Sequence, residues 1–121
     1  MKKGKKISGG KYKKSRKKRK HELRGYPRNV KLGERKTKKI RIRGGKTKLV
    51  LLSDNKINLI INGKAKKAKI KNVIETPSNR FLARQNIIVK SAIIETEFGK
   101  AKVTNRPSQE AQIQGVLLEK E

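Results

Sequence analysis

The chain has 121 residues with 36 Lys or Arg against 9 Asp or Glu, a net charge of +27, no cysteine and one histidine. That excess of positive charge opposes compaction and calls for a polyanionic partner. The lack of cysteine excludes disulfides and thiolate metal sites, and an apolar run no longer than Leu49–Leu52 excludes a membrane-spanning helix, which needs about 20 apolar residues. A secretory signal needs an apolar stretch of roughly 7 to 15 residues after its basic start, so we expect the protein to stay in the compartment where it is made.

Leu, Ile, Val and Phe divide the chain unevenly: residues 1–36 hold four of them (Ile7, Leu23, Val30, Leu32) and residues 37–121 hold the other 26. Residues 1–36, with 17 basic and 2 acidic side chains, read as a basic N-terminal extension, disordered until bound to a polyanion. Its densest part runs from Lys11 through Lys13, Lys14, Arg16, Lys17, Lys18 and Arg19 to Lys20, interrupted only by Tyr12 and Ser15. Like charges there meet at every helical spacing, which disfavours a helix. Ser8, Gly9 and Gly10 precede the run; glycines let the chain turn sharply and bring its amides close to phosphate. Arg24 and Arg28 continue the positive segment. His21 has only Glu22 as an acidic neighbour, too little for a metal site or a general base. No pair of carboxylates is brought together by local sequence, and we expect no enzyme activity, catalytic residue, cofactor, metal or small-molecule substrate.

Residues 37–121 read as the core domain, all-β and barrel-like, with about six antiparallel strands. The stretch KKIRIRGGKTKLVLL alternates around Gly44 and Gly45, and KINLIINGKAKKAKIKNVI around Asn62 and Gly63; both dipeptides suit two-residue hairpin turns. The second arm of the latter puts Lys67, Lys69 and Lys71 on one face, Ala68 and Ile70 on the other. ETPSNRFLARQ reads as a loop with one short helical turn. A third hairpin, NIIVKSAIIETEFGKAKVTNR, turns at Phe98 and Gly99, and QIQGVLLEK supplies a last strand. Closing such strands into a barrel removes their edges.

Counting outward from two-residue turns gives registers. In the third hairpin Glu97 falls opposite Lys100 and Glu95 opposite Lys102, with Thr96–Ala101 and Ile94–Val103 on the other face. In the first, Arg43 falls opposite Lys46 and Arg41 opposite Lys48, with Ile42–Thr47 and Ile40–Leu49 inside. Like charges directly opposite are unfavourable in the free protein, and phosphate would convert that repulsion into binding through counterion release. The chain has two Tyr, two Phe and no Trp, too few for a stacking platform. Tyr12 and Tyr26 suit single stacking contacts, and Phe81 and Phe98 are assigned to core or turn packing. The expected ligand is a folded RNA recognised by shape and backbone.

SGGKYKKSRKKRKHEL, RIRGGKTKLVLL, TPSN and IIETEFGKAKVTNRPSQ stand in an order and spacing that resembles the ribosomal protein S8e family in its short archaeal form, over essentially the whole chain. The match departs from the family pattern at Ser8, where Thr is usual, at His21, where an aromatic is common, and at Arg24–Gly25, where the order is usually reversed. The resemblance implies an all-β structural constituent of the small (30S) subunit, located in the cytoplasmic ribosome. Its partners would be 16S-type ribosomal RNA, met through Ser8 to Lys20 and Arg43 to Gly45, and neighbouring small-subunit proteins. Two other readings stay open: a ribosome assembly factor sharing the domain, and a general basic nucleic-acid-binding protein.

Overall fold

The structure, a computed structural model, describes residues 4–13 and 15–118. Its strands, in chain order, are β1 (Val30–Leu32), β2 (Lys36–Arg41), β3 (Thr47–Asp54), β4 (Lys56–Ile61), β5 (Lys64–Glu75), β6 (Ile87–Ile88), β7 (Ile93–Thr96), β8 (Gly99–Val103) and β9 (Gln114–Leu117). One-turn helices α1 (Arg80–Arg84) and α2 (Pro107–Glu110) lie between β5 and β6 and between β8 and β9. The fold is all-β, as the alternation and turn signals imply. The strands make two units, a closed five-stranded barrel β4-β5-β7-β8-β9 and a four-stranded sheet β2-β3-β1-β6.

The run LVLL explains the sheet. β3 lies between β2 and β1, and Val50 and Leu51, consecutive and therefore pointing to opposite faces, are both fully buried. A strand covered on both faces reads as a continuous apolar run rather than an alternation. β1 lies within residues 1–36 yet is part of this folded body: it pairs in parallel with β3 (Lys31 opposite Ser53) and antiparallel with β6 (Val30 opposite Ile88). Val30 belongs to the core cluster with Leu51 and Ile88. Of the first 36 residues, Val30–Leu32 are therefore part of the sheet.

β4 and β5 meet at Asn62 and Gly63, whose φ values of 49° and 75° make the two-residue turn, with Ile61 opposite Lys64. Ala68 and Ile70 point inward and Lys67, Lys69 and Lys71 outward, as the alternation requires. Two bulges then break the period of β5, between Ile70 and Asn72 and between Val73 and Glu75. β9 closes the barrel by pairing in parallel with β4 and antiparallel with β8. Gly115 on β9 has no room for a side chain, because a Cβ would lie 2.8 Å from the Lys102 carbonyl oxygen and 2.9 Å from Ile57 Cδ1.

The other two hairpins depart from the counted registers. In the first, the bend takes three residues, Arg43, Gly44 and Gly45, and the Ile42 N–H donates to the Lys46 carbonyl at 2.8 Å. Both glycines adopt positive φ, but Arg43 joins them in the loop, so every pair shifts by one residue. Arg41 stands opposite Thr47, Ile40 opposite Lys48, and Lys39 opposite Leu49. In the third hairpin the turn is Glu97 and Phe98, and Thr96 stands opposite Gly99, Glu95 opposite Lys100, and Ile94 opposite Ala101. That shift is two residues, which preserves the faces: Ile94, Ala101 and Val103 remain inside.

Candidate nucleic-acid interface

From Gly4 to Asn29 every described residue is exposed. Local contacts shape this arm in two places. At Ser8, Gly9 and Gly10 the chain reverses: the Gly9 N–H donates to the Lys6 carbonyl and the Lys6 N–H to the Gly10 carbonyl, each at 2.9 Å, and Lys5 bridges Lys11. Gly9 has φ 77°, a conformation open to glycine at little cost. Lys6 Nζ sits 5.7 Å from the Tyr12 ring centre.

The second place is a 3-10 turn at Lys20–Glu22. The Glu22 carboxylate accepts two hydrogen bonds from the Arg16 guanidinium, at 2.7 and 3.0 Å, and one from the Arg19 N–H at 3.0 Å. The Arg16 bond, then the Arg19 bond, hold the Glu22 carboxyl below its ordinary value, and Arg16 is raised in turn by Glu22. Both are therefore charged at neutral pH, and the pair is lost only as pH falls through the lowered Glu22 value. This leaves Lys11, Lys13, Lys17, Lys18, Arg19, Lys20, Arg24 and Arg28 as exposed cations along the arm, with no acidic residue but Glu22. Lys14 lies outside the described residues.

The body adds two cationic surfaces on different sheets. The β2–β3 hairpin is exposed from Arg41 through Leu49, and carries Arg41, Arg43, Lys46 and Lys48 around Gly44 and Gly45. Arg41 lies over the bend, its Nη2 3.9 Å from where a Gly45 Cβ would be. The one-residue shift removes the like-charge pairs expected here, because the partner of Arg41 is Thr47 and that of Lys48 is Ile40.

A like-charge pair does occur on the barrel, where Lys56 on β4 stands opposite Lys69 on β5, with Asn58 opposite Lys67 beside it. Residues paired across an antiparallel ladder point to the same face, so Lys56, Lys67 and Lys69 share one outer surface. Lys71 falls at the bulge, where the alternation that aligns it with Lys67 and Lys69 ends. Lys56 escaped the sequence reading, although it follows from counting outward from Asn62 and Gly63.

All four aromatic side chains are exposed. This corrects the core assignment of Phe81, which is 61% exposed: α1 is one turn long, and it turns Leu82 and Ala83 toward the body instead. Phe98 occupies the β7–β8 turn with Lys66 Nζ 5.9 Å from its ring centre.

At the seam between the sheet and the barrel lies a cavity of about 510 Å³, with Lys56, Asn58 and Lys67 of the barrel in its lining. Glu34 and Arg35 from the β1–β2 connection, Asp54, Asn55 and Lys56 from the β3–β4 corner, and Gln112 and Ile113 ahead of β9 surround it. Among the described residues, no group of three or more His, Cys, Asp or Glu is placed to hold a metal ion. No helix among them is long and apolar enough to cross a membrane.

Comparison with known proteins gives one consistent family. Residues 1–118 match the profile of the family described as ribosomal protein S8e. The chain is 47% identical over 115 residues to the small ribosomal subunit protein eS8 of Nanoarchaeum equitans, covering 93% of this chain and 91% of that one. It is 48% identical over 120 residues to the protein of the same name from Ignicoccus hospitalis, covering 96% and 92%, and 47% identical over 119 residues to that from Pyrobaculum aerophilum, covering 95% and 91%.

Proposed function

The chain belongs to the ribosomal protein S8e family, and from that premise we propose that it is a structural constituent of the small ribosomal subunit, bound to small-subunit ribosomal RNA. The observation that carries the RNA contact is the arm: every described residue from Gly4 to Asn29 is exposed, and Glu22 is its one carboxylate. Its Lys and Arg side chains take phosphates along the path of the arm, which orders as it binds. The Ser8–Gly10 reversal and the Arg16–Glu22 turn set bends in that path. The β2–β3 bend and the Lys56, Lys67 and Lys69 surface supply further contacts from the body. Such contacts fix position on a folded RNA and release counterions; they require no cofactor, catalytic group or membrane.

Substitution of Lys69 tests the assignment of the barrel surface. Lys69→Gln removes a like-charge pair with Lys56 and is expected to stabilise the free protein by about 0.2 to 1 kcal/mol before screening by salt. The same change removes one phosphate contact, so the slope of log affinity against log salt falls by roughly 0.7 to 0.9. Arg41→Gln is the contrast: Arg41 faces Thr47, so the melt stays within about 0.5 kcal/mol of the parent while RNA affinity drops. Thermal melts and RNA titrations at several salt concentrations read both effects. A Lys69→Gln protein that melts lower than the parent and binds RNA with an unchanged slope would remove this surface from the interface.

A further inference from the structure

We propose that the cavity at the seam between the four-stranded sheet and the barrel accepts one unstacked nucleotide of the bound RNA. The carboxamides of Asn55, Asn58 and Gln112 would hold the edge of its base, and Lys56 and Lys67 its flanking phosphates. The inference rests on RNA being the partner, and it adds base recognition to contacts otherwise made to phosphate.

The cavity's volume of about 510 Å³ falls within the roughly 300 to 1,000 Å³ typical of small-ligand sites, which favour seams between structural units. Its walls are fixed from beneath. Asp54 is 1% exposed, and its Oδ1 accepts from the Asn55 N–H at 2.8 Å and the Lys56 N–H at 3.0 Å, which sets the corner between the two units. Arg35 ties that corner to the opposite wall: Nη1 lies 3.7 Å from Asp54 Oδ2, and Nη2 donates to the Ala111 carbonyl at 3.3 Å. The Asn58 N–H donates to the Ile113 carbonyl at 2.9 Å. The Gln112 carbonyl accepts from Asn105 Nδ2 at 2.8 Å.

The backbone under these residues is thus held in place while their side chains are free to bind. Among the described residues, the side-chain amides of Asn55, Asn58 and Gln112 make no hydrogen bond to the protein, although neighbouring groups in the same wall are paired. A carboxamide offers two donors and an acceptor, the complement of a base edge, and unpaired RNA bases are read on their Watson–Crick and Hoogsteen edges. No aromatic side chain lines the cavity, so the base is held by its edge rather than by stacking. Lys56 and Lys67 line the cavity from the outer face of the barrel, where the phosphates on either side of an extruded base would pass.

The test is an NMR titration of the full isotope-labelled chain, following the side-chain NH₂ signals of Asn55, Asn58 and Gln112. The probes are the four ribonucleoside 5′-monophosphates, with ribose 5-phosphate as the base-free control. At least one nucleotide is expected to shift all three amides together, with at least tenfold tighter binding than ribose 5-phosphate. Gln112→Ala, an exposed position, should bring the nucleotide close to the control, and Asn55→Ala should do the same independently. Equal shifts from nucleotides and ribose 5-phosphate, or amides that no nucleotide moves, would overturn the proposal. Affinity of the same sample for small-subunit ribosomal RNA reports separately on the partner: a chain that binds that RNA yet shows no base-dependent shift loses the nucleotide site and keeps the RNA.

Discussion

A chain that begins at Val30 is expected to fold as the full chain does and to lose affinity for small-subunit ribosomal RNA by on the order of 10³-fold or more at moderate salt. Residues 1–29 contain 14 Lys or Arg and one carboxylate, Glu22. If half of those cations reach phosphate, about seven contacts vanish, and the slope of log affinity against log salt falls by roughly 5 to 6. The melt should move little, because the described residues from Gly4 to Asn29 are all exposed and none joins the core cluster. Filter binding at four or five salt concentrations, beside a thermal melt, measures both. Unchanged affinity and slope would show that the body, not the arm, makes the main contact.

Cutting seven residues further, so that the chain begins at Thr37, is expected to cost about 4 kcal/mol or more of folding stability. The second cut removes β1. Val30 is fully buried and Leu32 half-buried, and losing a buried aliphatic side chain alone costs about 1.5 to 3 kcal/mol. β6 loses its pairing with β1, and the Asn86 carbonyl and Ser53 hydroxyl lose their bonds to Leu32 and Glu34. Both groups are half-buried, and each lost hydrogen bond adds about 0.5 to 1.5 kcal/mol. Arg35, which ties the β3–β4 corner to Ala111, goes as well. Against a total stability of about 5 to 15 kcal/mol, the melting temperature should fall by about 20 °C, since 1 kcal/mol moves it by roughly 4 to 8 °C in a domain of this size. Equal melts for the two truncations would contradict the placement of β1 in the sheet.

β1 was hidden for a physical reason. Its three residues pair with β3, more than 20 residues on, and with β6, more than 50 residues on. Nothing local marks it within a segment whose composition is that of a disordered arm. Local turn chemistry, by contrast, was plainly legible: Asn62 and Gly63 fix the β4–β5 register, and with it the faces of Ala68, Ile70, Lys67 and Lys69. Where the turn differs from the expected one in length or in place, parity decides what survives. The two-residue shift at Glu97 and Phe98 leaves Glu95 outward and opposite a lysine, Lys100 in place of Lys102. The one-residue shift at Arg43 moves Arg41 off Lys48 and Ile40 onto it. The like-charge pairing expected on the first hairpin occurs instead on the second, between Lys56 and Lys69. The division of the strands into a sheet and a barrel was not legible either, because it depends on the corner that Asp54 caps and on the parallel return of β9 to β4. The cavity at that corner draws residues from four separate stretches of chain, a convergence that local pattern does not show.

Sedimentation through a sucrose gradient in high salt, with the chain detected across the fractions of a lysate, tests the ribosomal role most directly. If it is a structural constituent held by many phosphate contacts, the protein travels with mature 30S particles and remains on them as loosely bound factors are stripped away. Its absence from mature particles, with recovery only at the top of the gradient or on precursor particles, would contradict that role.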